Sequence, residues 1–318
     1  MLLYQSSNGL QPVAINRIDE FITLLRPLTD EVAIKELCEA ELTYLRNSLN
    51  IKTIYDANGI AQSVEGSVTS LHSQLTDYRN AVKSLELTAS NSYRSEAGRS
   101  GNRRIEVKHL ALKYLVKNDI EKLIRGEIKT TAIYQKHVKT REVNADDVIS
   151  KAEELLDSKY YTSVALGLML LTGRRATEIL KTAIMEVVDD DNVLFSGQLK
   201  TKDSINAKTK PYTIPVLTNS EKIVDALSKL RAMNDFSNIS NDAVHSKTNS
   251  TLNDACKRSF KGLIDNPMPK DLRAVYAAIC VEEVSHRGQS DDAFIAQILG
   301  HAEEDIVTAQ SYKGFEVI

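Results

Sequence analysis

Leu166 to Leu180, reading Leu-Gly-Leu-Met-Leu-Leu-Thr-Gly-Arg-Arg-Ala-Thr-Glu-Ile-Leu, constrains the fold more than any other stretch of the chain. Its first half continues an apolar run from Val164 and Ala165, too short for a membrane and long enough for a buried helix. Thr172 and Gly173 break that run, as a glycine just past a helix end does. Arg174 and Arg175 follow, at the first turn of a second predicted helix that runs on through Ile179 and Leu180. A guanidinium between two core elements is costly unless it meets an anion. A helix N-terminus adds its own partial positive charge, so this corner suits a phosphate. It also suits ion pairs to Glu178 and to carboxylates elsewhere.

At 318 residues the chain has room for two domains with a core each. A hydrophobic content of 42% and a charged content of 26% are ordinary globular values, so a folded chain is the expectation. The net charge of -3 means that a nucleic-acid footprint would have to be a local basic face. Cys38, Cys256 and Cys280 include no Cys-x-x-Cys pair, which argues against a disulfide framework or a zinc site and for a reducing cytoplasm. No signal peptide, no run of about 18 apolar residues and no Walker loop is present, so no membrane partner is expected.

The first 90 residues read as helices: an apolar stripe at Ile18, Phe21, Ile22, Leu24 and Leu25, then a helix capped near Asp30 and carrying Ile34, Leu37, Leu42 and Leu45. Leu71 to Leu87 is a further helix. Ser90 to Arg103 reads as a loop whose arginines, Arg94, Arg99 and Arg103, are free to reach a phosphate. From Arg104 to Arg141 the balance turns basic, with Lys108, Lys113, Lys117 and Lys122 among its cations, making this the candidate DNA-facing surface. Asn144 caps a helix over Ala145 to Leu156, and a domain boundary falls just before it, giving domains 1–142 and 143–318. Ile184 to Val188, Val193 to Gln198 and Tyr212 to Val216 are short strands of a small antiparallel sheet. Helices return from Asn219, over Leu252 to Leu263, Lys270 to Val284, Asp291 to Leu299 and Glu303 to Lys313. The expected fold is mainly α with one small antiparallel β-sheet.

Four further pieces follow the arginine pair. Lys200 stands at a strand end, with Lys202 as reserve; a lysine among other cations becomes a better acid. Pro269 starts a helix on which Lys270 and Arg273 stand three apart. His301 follows Leu299-Gly300, unlike the other histidines, which have no motif around them. Tyr312 is the only tyrosine after Tyr276.

The spelling Thr172-Gly173-x-Arg175-x-x-Glu178, with Lys200, Arg273, His301 and Tyr312 in order behind it, resembles the boxes of the tyrosine recombinases and integrases. Ordinary members carry His-x-x-Arg where this chain has Lys270-x-x-Arg273. That lysine, the Arg174-Arg175 pair and the strand-end Gly-Gln-Leu-Lys-Thr-Lys resemble the telomere resolvases, or protelomerases; type IB topoisomerases show a similar lysine. The resemblance implies a tyrosine recombinase-like catalytic domain at 143–318 and a helical DNA-binding domain at 1–142. It implies Tyr312 as nucleophile, Arg175 and Arg273 on the phosphate oxygens, His301 as a further donor, Lys200 as general acid and Lys270 on a phosphate oxygen. DNA contacts are expected from Arg174, Lys202, Arg94, Arg99, Arg103, Arg104, Lys108, Lys113, Lys117 and Lys122. Further implications are a homodimer on a palindromic duplex, hairpin products, no ATP and no metal, in a bacterial cytoplasm and encoded by a phage or plasmid. An ordinary integrase, a topoisomerase or a DNA-binding module with a dead site are the alternatives. The chain ends soon after Tyr312, without the C-terminal helix that many recombinases exchange with a neighbour.

Overall fold

The computed structural model describes residues 12–59, 61–97, 104–199, 210–284, 288–301 and 306–318. The chain divides into two compact units, Met1–Thr131 and Ala132–Ile318. Among the described residues no helix is long and apolar enough to cross a membrane.

In the first unit, α1 (Pro12–Leu25) and α2 (Glu31–Ser48) bury the predicted apolar stripe except Leu24, which is exposed, and Asp30 accepts from Ala33 N at 2.9 Å to cap α2. With α3 (Val68–Lys83) they enclose a core of Ile18, Phe21, Leu25, Ile34, Leu71 and Val82. Two hairpins interrupt this helical region and correct the sequence reading. β1 (Lys52–Tyr55) pairs antiparallel with β2 (Ala61–Glu65), on either side of an Asn58-Gly59 turn that is itself a hairpin signal. β3 (Ser92–Ala97) pairs with β4 (Arg104–His109) in the register Ser92↔His109 through Ala97↔Arg104. Part of the stretch expected as a loop is thus a strand. A short α4 (Ala111–Tyr114) and the long α5 (Asp119–Val138) follow.

The division between the units falls within α5, and in the second unit that helix is followed by β5 (Arg141–Val143) and by α6 (Ala145–Leu156), capped by Asn144 as expected. At its centre lies α7 (Tyr161–Thr172). From Val164 to Leu171 no apolar side chain of α7 is more than 2% exposed. Each such side chain contributes about 1.5–3 kcal/mol on leaving water. A helix apolar all round must be covered on every side. Here α6, α8 (Ser220–Met233), α9 (Asn241–Ser259) and α10 (Pro269–Glu283) do so. The sheet β6 (Ile184–Asp189), β7 (Asn192–Ser196) and β8 (Tyr212–Pro215) is antiparallel in that order, as the strand-like runs predict. α11 (Asp291–Ile298), a short α12 (Ile306–Ala309) and a 3-10 turn at Gln310–Tyr312 lead to β9 (Phe315–Val317). β9 pairs in parallel with β5, a contact that nothing in either segment announces.

Candidate active site

The site is built from the end of α7 outward. Gly173 closes that helix at φ 65°. A Cβ there would lie 2.2 Å from the Tyr276 ring, so the position admits only glycine. The chain turns inward at Arg174, and the predicted helix begins at Ala176, with Ile179 N donating to Arg175 O at 3.0 Å. The next regular turn is a π turn at Glu178–Thr182, in which Ala183 N reaches Glu178 O at 2.7 Å.

Arg174 is fully buried, which corrects its expected place at a DNA surface. Its Nε donates to Thr172 O at 3.0 Å, Nη1 to the Tyr212 hydroxyl at 2.6 Å and Nη2 to Ile298 O. The guanidinium lies 4.8 Å from the centre of the Phe195 ring. Its donors therefore tie α7, the sheet and the end of α11 together, and none is directed at solvent.

Arg175 is the solvent-reaching member of the pair. Its backbone N donates to Glu178 Oε2 at 2.9 Å, and its Nη1 donates to Glu178 Oε1 at 2.7 Å and to Leu199 O at 3.2 Å. Glu178 Oε1 also accepts from Leu199 N at 3.0 Å. Burial alone would push the Glu178 carboxyl up, yet Arg175, Arg273 and Arg174 hold it below the usual carboxylate range.

Arg273, on α10, is 4% exposed. It donates from Nη1 to Gly173 O at 2.5 Å and from Nη2 to Leu299 O at 2.7 Å. Its Nε is buried with no hydrogen-bond partner among the described residues. Burial, and then the charges of Arg174 and Arg175, bring its pKa down to about 10, which leaves it cationic at neutral pH. A buried cationic donor left open beside Arg175 is suited to an incoming anion.

Tyr312 closes the group. The Arg273 guanidinium is 5.5 Å from the centre of its ring, and the His301 ring is 5.4 Å away at 37°. Burial would raise the Tyr312 pKa, but the charges of Arg273 and Arg175 and hydrogen bonding to both lower it below the ordinary tyrosine value. The phenol is thus easier to deprotonate than a free one. His301 is held by its backbone N, which donates to Ala296 O at 2.8 Å. Gly300, before it, sits at φ 65°, where a Cβ would meet Gln198 Oε1 and the Tyr212 hydroxyl at 2.1 Å each.

The fold therefore gathers Arg175, Arg273, His301 and Tyr312 from four separate elements. Lys270 is exposed and makes no hydrogen bond or ion pair to a described residue. Lys200, Lys202, Arg99 and Arg103 lie outside the described residues. In the first unit Arg94 is exposed on β3. Arg104 and Lys108 both pair with Glu106, Lys113 with Glu31 and Lys122 with Asp119, so much of the basic segment is internally neutralised. Lys117 is only partly exposed, and burial with the nearby Arg125 lowers its pKa. Among the described residues no group of three His, Cys, Asp or Glu side chains is placed to hold a metal ion.

Residues 139–315 match the family described as the telomere resolvase ResT/TelK catalytic domain. The chain belongs to this family. Among curated telomere resolvases, the protelomerase of Yersinia phage PY54 is 28% identical over 172 residues, 49% of this chain and 27% of that protein. Telomere resolvase ResT of Borreliella burgdorferi is 21% identical over 154 residues, 47% of this chain and 33% of that one. The alignments thus span about a third or less of these curated relatives. Among solved structures, protelomerase TelA covalently complexed with substrate DNA matches with a TM-score of 0.78 at 24% identity, over 98% of this chain and 90% of that one. An arginine-to-alanine mutant of TelA complexed with DNA hairpin product matches with a TM-score of 0.77 at 25% identity, over 98% and 90%. The resolvase fold is shared across these matches.

Two groups that brace this site are not singled out by the sequence. Gln198 donates to Gly300 O and accepts from the Tyr212 hydroxyl, so the chain Arg174–Tyr212–Gln198–Gly300 braces the turn before His301. Arg231, on α8, donates from Nε to Ile179 O at 3.0 Å and from Nη2 to Glu178 O at 3.3 Å and Ala183 O at 3.2 Å, clamping the π turn beneath Glu178. No local spacing marks either residue.

Proposed function

We propose that the chain cleaves a palindromic DNA duplex through a 3′-phosphotyrosine at Tyr312 and rejoins the ends as covalently closed hairpins. The observation that carries this reading is the convergence on Tyr312 of Arg273, Arg175 and His301, with an unused Arg273 donor beside it. In this reading the Tyr312 oxygen attacks the scissile phosphorus while Arg175 and Arg273 hold the non-bridging oxygens and His301 adds a donor. The bond to the 5′ oxygen breaks, and Lys200, or Lys202 in its place, supplies the proton that the leaving oxygen takes up. Lys270 holds a phosphate oxygen from the first turn of α10. The 5′ hydroxyl of the opposite strand then attacks the phosphotyrosine and gives its proton back to the lysine, while Tyr312 recovers the proton it had passed to His301 on attacking. Bond energy is conserved throughout, so the cycle needs neither ATP nor a metal ion.

Two protomers acting across one symmetric duplex would form the two hairpins, with residues 143–318 as the catalytic domain and residues 1–142 clasping the DNA. The family and the hairpin-product complex of TelA support this reading over strand exchange. It is tested by incubating the protein with labelled palindromic duplexes in EDTA. The expected result is a denaturation-resistant protein–DNA adduct and linear products that snap back after melting and resist exonuclease, all lost in Tyr312→Phe with binding retained. Joints between separate duplexes would instead identify an integrase, relaxed circles alone a topoisomerase, and binding without an adduct a DNA-binding module.

A further inference from the structure

Tyr312 sits on a short 3-10 turn, an element that cannot fix a side chain by itself. The segment just after it is anchored twice. Lys313 Nζ lies 2.7 Å from Asp292 Oδ1 and 3.9 Å from Asp291 Oδ2, at the start of α11. Phe315, 7% exposed, lies beneath Arg141, whose guanidinium carbon is 4.1 Å from the centre of the ring.

Arg141 joins three parts of the unit. Its backbone N donates to Gly314 O at 3.1 Å, and it stands opposite Phe315 in the β5–β9 pair. Its Nη1 donates to Asp265 O at 3.0 Å and to Asp271 Oδ2 at 3.3 Å, and its Nη2 lies 3.2 Å from Asp271 Oδ1. Asp271 Oδ2 also accepts from Met268 N at 3.2 Å, fixing the first turn of α10. Two residues further along α10 is Arg273. The planar fork and the stacked face are both in use, a combination that lysine cannot reproduce.

We infer that Arg141 is a positioning residue for the strand-transfer site, holding the strand after Tyr312 against the helix turn that precedes Arg273. It acts on both groups from behind and touches neither. The inference rests on the reading of Tyr312 as nucleophile, and its test separates the two.

The measurement compares Arg141→Ala and Arg141→Lys with the unmodified chain in adduct formation at saturating duplex, and in the titration of Tyr312 followed by NMR of ¹³C-labelled tyrosine, assigned with Tyr312→Phe. Arg141→Ala should slow adduct formation by about 100-fold, as loss of geometry at a reacting pair does, with DNA affinity unchanged. Arg141→Lys should recover part of that rate. The Tyr312 titration should move upward in Arg141→Ala, toward the ordinary tyrosine value, as the phenol drifts from Arg273 and Arg175. An unmoved titration together with a normal adduct rate overturns the inference. If the unmodified chain forms no adduct on any duplex, the nucleophile reading falls, and the titration alone then decides whether Arg141 positions Tyr312. Should Arg141→Ala fail to fold, Phe315→Leu is scored in its place: it removes the ring beneath the guanidinium and keeps the packing, and the same slowing is expected.

Discussion

The Glu178 carboxylate, with a fully buried side chain, accepts from Nη1 of Arg175 at 2.7 Å, three residues before it. It also receives the backbone N–H groups of Arg175 and Leu199. One acid thereby sets the pose of the arginine and of the backbone at Leu199, beyond the end of β7.

Glu178→Gln should therefore destabilise the second unit by about 3–5 kcal/mol, as breaking a buried ion pair does, and should slow adduct formation as well. Because the folded pKa of Glu178 lies below its unfolded value of about 4.3, its pairing stabilises the fold above that pH. That contribution disappears as pH falls through the folded value. Denaturant titrations across the acid range should show a shallower loss of stability in the variant.

Tyr212→Phe removes the hydroxyl that accepts from Arg174 and donates to Gln198. Leaving the buried guanidinium without that acceptor should cost about 1–3 kcal/mol. The salt dependence of DNA binding should not change, since Arg174 is fully buried. A flattened salt slope in Arg174→Lys would return this residue to the DNA surface.

The rate of adduct formation should rise with pH and level off below about 10, the ordinary tyrosine value, because the lowered pKa of Tyr312 makes its proton available at lower pH. Removing a charge that lowers the pKa moves the midpoint up. Arg273→Ala and Arg175→Ala should each shift the pH–rate profile to higher pH, besides lowering the rate by about 100- to 1,000-fold at its maximum.

In the first unit, neutralising Lys117 and Arg125 should flatten the salt dependence of DNA binding more than neutralising Lys113 and Lys122. The latter pair already face Glu31 and Asp119. Lys117 and Arg125 lie close enough to depress the pKa of His72, after burial, and the Arg125 Nε is buried without a hydrogen-bond partner among the described residues. For every phosphate no longer neutralised, the slope should fall by about 0.9, read from anisotropy titrations at several salt concentrations.

The fold and the candidate site were legible where local chemistry decides them. The apolar run of α7, the caps at Asp30 and Asn144 and the ordered boxes around Arg175, Arg273, His301 and Tyr312 all depend on near neighbours in sequence. Arg174 was misread because two adjacent arginines look alike until Gly173 turns one of them into the core. The β3–β4 hairpin is only half legible: Arg104-Ile105-Glu106-Val107-Lys108 alternates polar and apolar residues, but Tyr93-Arg94-Ser95-Glu96 shows no apolar alternation. Gln198, Tyr212, Arg231 and Arg141 act across distant parts of the chain, where no spacing rule reaches.

The parallel pairing of β5 with β9 also orders events during synthesis. Thr140 Oγ1 donates to Glu316 Oε2 across a separation of 176 positions, and closing so long a loop comes late in folding. The ribosome releases β9 after every other element of this unit, so the turn bearing Tyr312 is locked in place last. A nascent chain therefore carries Arg175 and Arg273 well before it carries the strand that seats Tyr312.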